Sequence, residues 1–371
     1  MRTLEDLGDL STKRVLVRCD FNVPLEGGRI TDDMRIRAAL PTIDELRKAG
    51  ASLILCSHLG RPKGKPDPRF SVRPVGSRLS ELLDTDVVTC GAVIGGEVRQ
   101  CRDRLEPGDV MLLENLRFDP RFGAAHRAHA SVVGVAELLP SAAGRLVQKE
   151  IEVLTRLRDS AAEPFVAILG GVKVSDKLAA IDALIERVDA LLIGGAMAFS
   201  FLAAAGAEVG RSLVERERFY EVRAAVRKAD ERGVVIQLPE DVVAAPEPSV
   251  DAPRRTVPAR EIPRDLMGLD IGPRSVEEFA RTIADAATIF WNGPMGVFEL
   301  EPFSAGTRGV ATAVSAAPGY SVVGGGDSLA ALRKFDLADG VDHLSTGGGA
   351  SLEFLEGKEL PGVAVLMEDT A

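Results

Sequence analysis

Short apolar runs alternate along this chain with longer segments in which apolar residues recur every three or four positions. In the first half, RVLVRCDF, ASLILCSH and DVMLLENL have the length and composition of buried strands. Between them, residues 31–50 and 72–83 show helical spacing, with Thr31 as the expected N-cap and Gly50 as the expected stop. This alternation predicts an α/β protein with largely parallel sheets.

The second half repeats the scheme with six further strand-like runs: FVAILGG, ALLIGG, VVIQLPEDVV, TIFWNGP, YSVVGGGDS and HLSTGGGAS. Helical segments lie between them, such as residues 175–188, where Leu178, Ile181 and Leu184 fall on one stripe. A polar helical stretch at residues 148–164 divides the two halves and is expected to form a helical hinge. The proline-rich residues 244–263 predict an extended surface excursion.

Length and composition support a globular protein of two domains. The chain has 371 residues, of which 46% are hydrophobic and 27% charged, so it can bury a large core. The first residues lack the apolar region of a secretory signal, and no apolar run approaches the roughly 18 to 20 residues that a membrane helix needs. The four cysteines share no metal-ligand spacing, which favours buried free thiols in a cytoplasmic protein.

The net charge of −10 is unevenly distributed along the chain. Residues 1–150 contain 23 Lys and Arg against 21 Asp and Glu, whereas the remainder contain 22 against 34. The chain has no long basic stripe with interleaved aromatic residues, which argues against nucleic-acid binding. Local basic clusters in an acidic chain indicate a small anionic ligand.

Ligands of parallel α/β sheets bind at the carboxyl ends of the strands, so functional residues are expected after each strand. In the first half these residues are polar or cationic: Asp20, Asn22, His58, Arg61, Asn115 and Arg117. Arg35 joins them from the first turn of the following helix. Guanidinium groups bind phosphate and carboxylate in bidentate fashion, so the set suits a phosphorylated or carboxylated small molecule. Ordinary capping and surface roles are the alternative for each residue taken singly.

In the second half the strand exits carry glycine instead: Gly170, Gly171, Gly194, Gly195, Gly293, Gly324, Gly325, Gly326, Gly347, Gly348 and Gly349. Without a Cβ, backbone N–H groups can approach phosphates or a flat base closely. Lys173 and Lys177 are expected to share one helical face and to meet successive phosphates, and Asp327 is a candidate Mg²⁺ ligand. An exposed lysine pair and a helix-capping Asp are the alternative. The sequence contains neither a Walker A motif nor a dinucleotide fingerprint.

Eight segments resemble, in the same order, the motifs of the phosphoglycerate kinase family: VRCDFNVP, SHLGRPKG, LLENLRF, AHRAHAS, ILGGVKVSDK, WNGPMGVFE, GGGDS and STGGGASLEFLEGKELPGV. The resemblance implies two doubly wound, Rossmann-like domains in a cytoplasmic monomer. The implied reaction converts 1,3-bisphosphoglycerate and MgADP to 3-phosphoglycerate and MgATP in glycolysis. The implied divisions are a domain at residues 1–148, a hinge helix at 149–163, a domain at 164–350 and a C-terminal segment at 351–371 that packs back toward the first domain.

The resemblance also implies the site residues. The phosphoglycerate site would comprise Asp20, Asn22, Arg35, His58, Arg61, Arg117 and Arg127. The nucleotide site would comprise Gly170, Gly171, Lys177, Gly194, Gly195, Leu269, Asn292, Pro294, Val297, Glu299, Gly324, Gly325, Gly326, Asp327 and Ser328, with Asp327 holding Mg²⁺. Arg35, Lys173 and Lys177 would be catalytic, steadying the transferred phosphoryl group. Because the reacting oxygens are ionised at neutral pH, this chemistry needs no general base.

One departure from the family pattern lies just after Phe118. Family members place a helix and a strand between this point and FGAAHRAH, whereas only DPR separates Phe118 from Phe122 here. A missing strand would leave backbone groups unpaired, and Arg117 and Arg127 lie only ten residues apart. A natural deletion, an engineered one and an unrecorded stretch are all compatible with the sequence. Two other functions are therefore weighed: a nucleotide-binding relative with impaired or no activity, and a dehydrogenase-like enzyme, which the missing fingerprint disfavours.

Overall fold

The computed structural model describes residues 1–119 and 129–367. The chain divides into two compact units, the first formed by Met1–Ile151 with the residues from Glu359 onward, and the second by Glu152–Lys358. Each unit contains a parallel sheet with helices between its strands, which confirms the prediction of an α/β fold.

The strands of the first unit are β1 (Arg14–Arg18), β2 (Leu25–Glu26), β3 (Arg29–Ile30), β4 (Ser52–Cys56), β5 (Val87–Thr89) and β6 (Val110–Leu112). Its first helices are α1 (Met34–Lys48), α2 (Arg73–Leu83) and α3 (Gly96–Asp103). Four strands form a parallel sheet in the order β1-β4-β6-β5, and β2 and β3 form a short antiparallel ribbon. This order brings the carboxyl ends of β1, β4 and β6 side by side.

Apolar residues pack against both faces of the first sheet. Phe21 and Ile36 belong to the larger cluster, which includes residues of α1 and α2, and Met111 and Leu113 belong to the cluster on the other face. Strands β4 and β6 are nearly continuous apolar runs because they are buried between other strands. Strand β1 lies at the edge of the sheet as described, and its Leu16 is 40% exposed.

Helix α1 begins later than the sequence predicts. The expectation that Thr31 is the N-cap is wrong, because the helix starts at Met34. The Asp32 carboxylate accepts a hydrogen bond from the Met34 N–H at 2.9 Å and forms the turn in its place. The predicted stop is confirmed, since α1 ends at Lys48 and Gly50 adopts a φ of +81° that favours glycine.

The strands of the second unit are β7 (Phe165–Leu169), β8 (Ala190–Ile193), β9 (Glu208–Val209), β10 (Val235–Gln237), β11 (Asp241–Ala245), β12 (Arg255–Pro258), β13 (Glu261–Ile262), β14 (Met267–Ile271), β15 (Thr288–Asn292), β16 (Tyr320–Gly324) and β17 (His343–Ser345). Six of them form a parallel sheet in the order β10-β8-β7-β15-β16-β17. The direction of winding reverses between β7 and β15. Ligands of open α/β sheets bind outside the carboxyl ends of the strands at such a switch point.

Two smaller sheets complete the second unit and correct two predictions. The run VVIQLPEDVV is two strands rather than one, because Pro239 interrupts it, so that β10 joins the large sheet while β11 pairs with β12 and β14. The proline-rich residues 244–263 are more ordered than a surface excursion. They contain β12, which pairs antiparallel with β11, and β13, which pairs with β9.

The helices that surround these sheets are α5 (Leu178–Leu184), α6 (Met197–Ala204), α7 (Phe219–Arg232), α8 (Pro273–Ala284), α9 (Ala305–Ala316), α10 (Gly326–Lys334) and α11 (Gly349–Leu355). The centre of the large sheet is fully buried, with Phe165 on β7 and Phe290 and Trp291 on β15. The Trp291 Nε1–H donates to the Gly293 carbonyl at 2.7 Å, which fixes the turn that follows β15.

The chain crosses from one unit to the other twice, and a helix lies at or near each crossing. Helix α4 (Arg145–Asp159) contains the first passage, at Ile151 and Glu152. After the second passage, α12 (Pro361–Met367) lies in the first unit, where the Arg2 N–H donates to the Leu366 carbonyl at 2.8 Å. Of the helices within the described ranges, none is both long and apolar enough to span a bilayer.

Candidate functional site

The segments that follow β1, β4 and β6 meet at the carboxyl end of the first sheet. The Arg35 guanidinium donates to the Asp20 carboxylate in a close ion pair. The Gly60 N–H donates to Asn22 Oδ1 at 2.8 Å, and Arg117 Nη1 donates to the Gly60 carbonyl at 2.7 Å. The structure thus brings together side chains that the sequence separates by up to 97 positions.

Asn115 holds these segments in place and is itself fully buried. Its Oδ1 accepts from the N–H groups of Leu59 at 3.1 Å and Arg117 at 3.0 Å. Its Nδ2 donates to the carbonyls of Leu59 at 2.6 Å and Phe70 at 2.9 Å. Asn115 therefore has a structural role at this strand exit, and it fixes the backbone that carries Arg117.

His58 lies among cations and is neutral at physiological pH. Burial, together with the positive charges of Arg117 and Arg18, lowers the pKa of its imidazole to about 4. Arg18 Nη2 lies 3.2 Å from His58 Nδ1. Since a guanidinium can only donate, Nδ1 must accept, and the neutral ring carries its proton on Nε2. His58 therefore offers an N–H donor and no charge.

Arg18 is a residue that the sequence reasoning missed. It ends β1, where its Nε donates to Ser131 Oγ at 3.3 Å and its Nη1 donates to the Cys19 carbonyl. The sequence did offer one signal that could have identified Arg18, because it is a basic residue at the carboxyl end of a largely apolar strand. Its partner Ser131 is 113 residues away, so no local pattern links the two.

Positive charge at this strand end exceeds what the neighbouring acids neutralise. Burial lowers the pKa of Arg117, and repulsion from Arg61 and Arg18 lowers it further. Arg61 is exposed beside it. A bound anion would relieve this repulsion, so the cluster is suited to an anionic ligand. Arg127, the remaining predicted member, lies outside the described residues.

The glycine exits of the second unit pack tightly against one another. The N–H groups of Gly170, Gly171 and Gly195 donate to carbonyls of residues 292–295 at 3.0 to 3.1 Å. A Cβ on Gly170 would collide with the Pro294 carbonyl. These three N–H groups therefore bond to the protein's own carbonyls, and the phosphate contact expected of the glycine exits cannot come from them. Glycine is needed at these exits because residues 293–295 and the neighbouring exit occupy the space that a Cβ would take.

Gly326 differs from these glycines. It begins the nine-residue helix α10, and a Cβ there would meet no atom within 4 Å. Asp327 follows and is exposed, whereas Ser328 is fully buried and its Oγ accepts from the Gly293 N–H at 2.6 Å. The start of α10 is thus open, and its helix dipole favours negative charge there. Ser328 braces the turn after β15.

Lys177 is fixed and Lys173 is exposed. Lys177 Nζ donates to the carbonyl and to the Oδ1 of Asn292 at 2.6 and 2.7 Å. Burial lowers the pKa of Lys177 to about 8, while the charges of Asp327 and Asp176 oppose that shift. The expectation that both lysines share a helical face is wrong, since α5 begins only at Leu178 and both precede it.

Three further predicted nucleotide residues, Leu269, Val297 and Glu299, lie on or after strands of the second unit, and two of them meet at β14. The Val297 N–H donates to the Leu269 carbonyl at 2.9 Å, and Lys334 Nζ donates to the Glu299 carbonyl at 3.1 Å. Leu269 and Val297 belong to one apolar cluster. Among the described residues, no group of three His, Cys, Asp or Glu side chains is arranged to hold a metal ion. Asp327 is an exposed carboxylate at the start of α10.

Comparisons with known proteins identify the family. The sequence model described as phosphoglycerate kinase matches residues 4–121 and 120–358. The phosphoglycerate kinase of Thermomicrobium roseum is 52% identical over 100% of both chains, and that of Rubrobacter xylanophilus is 54% identical over 99% of this chain and 98% of its own. The chain belongs to the phosphoglycerate kinase family.

Solved structures agree with this membership of the phosphoglycerate kinase family. The structure of phosphoglycerate kinase from Coxiella burnetii has a TM-score of 0.83 at 40% identity and covers 98% of each chain. The enzyme from Pyrococcus horikoshii has a TM-score of 0.85 at 33% identity, over 99% of this chain and 98% of its own. The predicted family, kinase function and fold class are confirmed. The comparisons give no support to an impaired relative, and the dehydrogenase alternative is wrong.

The match to the phosphoglycerate kinase family is divided at the short junction. Its two segments meet at residues 120–121, the point at which the sequence predicts that a helix and a strand are missing. The alignment with the Thermomicrobium roseum enzyme extends over 392 residues, against 371 in this chain. Some residues of that relative therefore have no counterpart here. The junction itself falls within residues 120–128, outside the described ranges.

Proposed function

We propose that this member of the phosphoglycerate kinase family transfers a phosphoryl group reversibly between 1,3-bisphosphoglycerate and MgADP, giving 3-phosphoglycerate and MgATP in glycolysis. The observation that carries the proposal is the surplus of cations where β1, β4 and β6 end. The pKa of Arg117 is lowered there by burial and by repulsion from neighbouring arginines. Such a cluster gains most from a ligand with several negative charges, as a phosphorylated acid has.

The proposed phosphoglycerate site consists of Asp20, Asn22, Arg35, His58, Arg61, Arg117 and Arg127. Within it, the arginines neutralise phosphate and carboxylate charge, and neutral His58 donates its Nε2–H without adding to the repulsion. Asp20 holds the Arg35 guanidinium, so that this cation is oriented before the substrate binds. Orientation in advance reduces the entropy lost on binding.

The proposed nucleotide site lies at the glycine exits of the second unit. Its members are Gly170, Gly171, Lys177, Gly194, Gly195, Leu269, Asn292, Pro294, Val297, Glu299, Gly324, Gly325, Gly326, Asp327 and Ser328. Gly171 and Gly195, which are partly exposed beside the switch point, let a flat base or ribose approach the backbone, and the open start of α10 suits phosphate oxygens. Lys177, held by Asn292, supplies a fixed positive charge.

Mg²⁺ fits this site as a partner of the nucleotide. Mg²⁺ bound to a nucleotide takes few protein carboxylates, and Asp327 is one exposed carboxylate at the start of α10. When bound, the ion neutralises phosphate charge. The chain's own Arg35, Lys173 and Lys177 are the proposed catalytic cations that stabilise the transferred phosphoryl group. Because the acceptor oxygen is already ionised, no side chain has to remove a proton.

The remaining proposals concern the form of the protein. The described residues contain four free cysteines, three of them buried, which supports a reducing cytoplasm. The proposed state is a monomer that binds only small molecules, without nucleic acid or membrane. The proposed divisions are a phosphoglycerate domain at 1–148, a hinge helix at 149–163, a nucleotide domain at 164–350 and a returning segment at 351–371.

A coupled assay tests the proposed reaction. The full chain, its length verified by intact mass spectrometry, is supplied with 1,3-bisphosphoglycerate and MgADP, and ATP formation is measured. We expect turnover that disappears when either substrate is omitted. Tight MgADP binding without any ATP formation would instead identify a nucleotide-binding relative that has lost the reaction.

A further inference from the structure

The loop that follows β7 is held at both ends and exposes several side chains between them. Both ends of residues 171–177 hydrogen-bond to residues 292–294. Val172 and Lys173, near its start, are exposed, whereas Val174 is fully buried. Lys173 forms no ion pair with any residue in the part of the chain that the structure describes. The position of this lysine therefore depends on what anchors the backbone beside it.

Glu215 supplies that anchor from a distant part of the second unit. Its Oε2 accepts from the Ser175 N–H at 2.9 Å, and its Oε1 accepts from the Ser175 hydroxyl at 2.6 Å. Burial opposes ionisation of Glu215, but hydrogen bonds from Ser175 and from the Val174 backbone, together with the charge of Lys173, lower its pKa. Glu215 is therefore a carboxylate at neutral pH. Charge-assisted hydrogen bonds of this kind are roughly twice as strong as neutral ones.

The backbone of Glu215 is fixed in turn. Its N–H donates to Ser200 Oγ at 3.1 Å, and Ser200 is almost completely buried in α6. Helix α6 follows the glycine exit at residues 194–195. Glu215 thus links the segments that leave β7 and β8, two neighbouring strands at the proposed nucleotide site.

We propose that Glu215 is a positioning residue for phosphoryl transfer, holding the Ser175 backbone so that Lys173 reaches the transferred phosphoryl group. This inference rests on the proposed function, which makes Lys173 catalytic. Glu215 touches the loop and no proposed ligand group, so its loss should affect the reacting step more than nucleotide binding. Misplacement of a catalytic group by about 1 Å can cost roughly 100-fold in rate.

The first experiment compares Glu215→Gln with the exposed neighbour Glu217→Gln as matched control. We expect Glu215→Gln to lower kcat by roughly 10- to 100-fold while the KM for ADP changes by less than about threefold, and the control to behave as the unmodified enzyme. Ser175→Ala, which removes only the hydroxyl bond, should lower kcat less. Urea midpoints and circular dichroism identify any variant that fails to fold, in which case Ser175→Ala alone decides. Unchanged kcat in the folded variants would overturn the proposal.

The second experiment is a double-mutant cycle with Lys173→Met. If Glu215 acts through Lys173, the double variant should be no slower than Lys173→Met alone. Full multiplication of the two effects would overturn the positioning role while leaving Lys173 catalytic. Nearly normal turnover of Lys173→Met would instead refute the role that the proposed function gives Lys173, and the inference would fall with it.

Discussion

Replacing Arg18 by Met should change the protonation of His58. Arg18 Nη2 lies 3.2 Å from His58 Nδ1, so protonation of the ring would place two positive charges about 4 Å apart. At an effective dielectric constant of about 20, such a pair costs on the order of 4 kcal/mol, an upper bound for a partly solvated site. Burial and Arg117 depress the pKa as well and remain in the variant. We therefore expect the His58 pKa to rise by about one pH unit.

The same substitution should change how stability depends on pH. The folded protein keeps His58 neutral down to about pH 4, whereas the unfolded chain protonates it near 6.5. The unfolded state therefore binds more protons within this window, so the free energy of unfolding falls as the pH drops from 6.5 to 4. The total loss is about 3 kcal/mol for one group. In Arg18→Met the folded and unfolded pKa values of His58 are closer together, so the free energy of unfolding should fall less between pH 6.5 and pH 4.

Nitrogen-15 NMR of the imidazole rings gives the assay. The chain has four histidines, so His58→Gln suffices to assign the His58 signals. Long-range proton–nitrogen correlations should show the Nε2–H form at pH 7, and a pH titration should give the pKa in both proteins. Arg14→Met, at the exposed start of the same strand, is the matched control and should leave His58 unchanged. An Nδ1–H ring, or an equal pKa with and without Arg18, would refute the reasoning.

Three further predictions concern turnover, pH dependence and stability. Arg35→Ala should slow turnover by roughly 10³-fold or more, as loss of an arginine that stabilises the transition state does. Arg37→Ala, at an exposed position of the same helix, is the control and should leave turnover unchanged. Nearly normal turnover of Arg35→Ala would exclude Arg35 from the mechanism. Because the Lys177 pKa is about 8, this side chain loses its positive charge as the pH rises through that value. The affinity for MgADP, measured by calorimetry, should therefore fall above pH 8. In Lys177→Arg, which stays charged, the affinity should fall less. Asn115→Ala should lower the urea-derived free energy of unfolding by about 3 kcal/mol, and an unchanged midpoint contradicts its bracing role.

The sequence predicted best the elements whose environment is uniform. Strands β4, β7 and β15 lie inside their sheets, so their apolar runs are read directly from the chain. The strand exits followed from the same logic, because parallel strands place their carboxyl ends together. Other predictions were wrong because a neighbouring residue determined the local structure. Asp32, and not Thr31, forms the turn at the start of α1. Pro239 divides one apolar run into β10 and β11, which belong to different sheets.

Contacts between distant residues could not be predicted from the sequence. The partners of Arg18 and Glu215 gave no local signal because they lie 113 and 40 residues away. The glycine exits were correctly located, but nothing in the sequence indicated that the N–H groups of Gly170, Gly171 and Gly195 bond to carbonyls of another exit, which only the folded sheet brings near. The structural role of Asn115 also could not be predicted, because its four hydrogen bonds join three segments that are separate in the sequence.

The chain carries a single tryptophan, and its position gives the second unit an intrinsic optical reporter. Trp291 is fully shielded from water, and its indole N–H bonds to the turn that leaves β15. Its fluorescence therefore depends on whether the middle of that sheet is intact and on the polarity of one strand end. Emission excited selectively from indole should follow the melting of the second unit alone, without any attached dye.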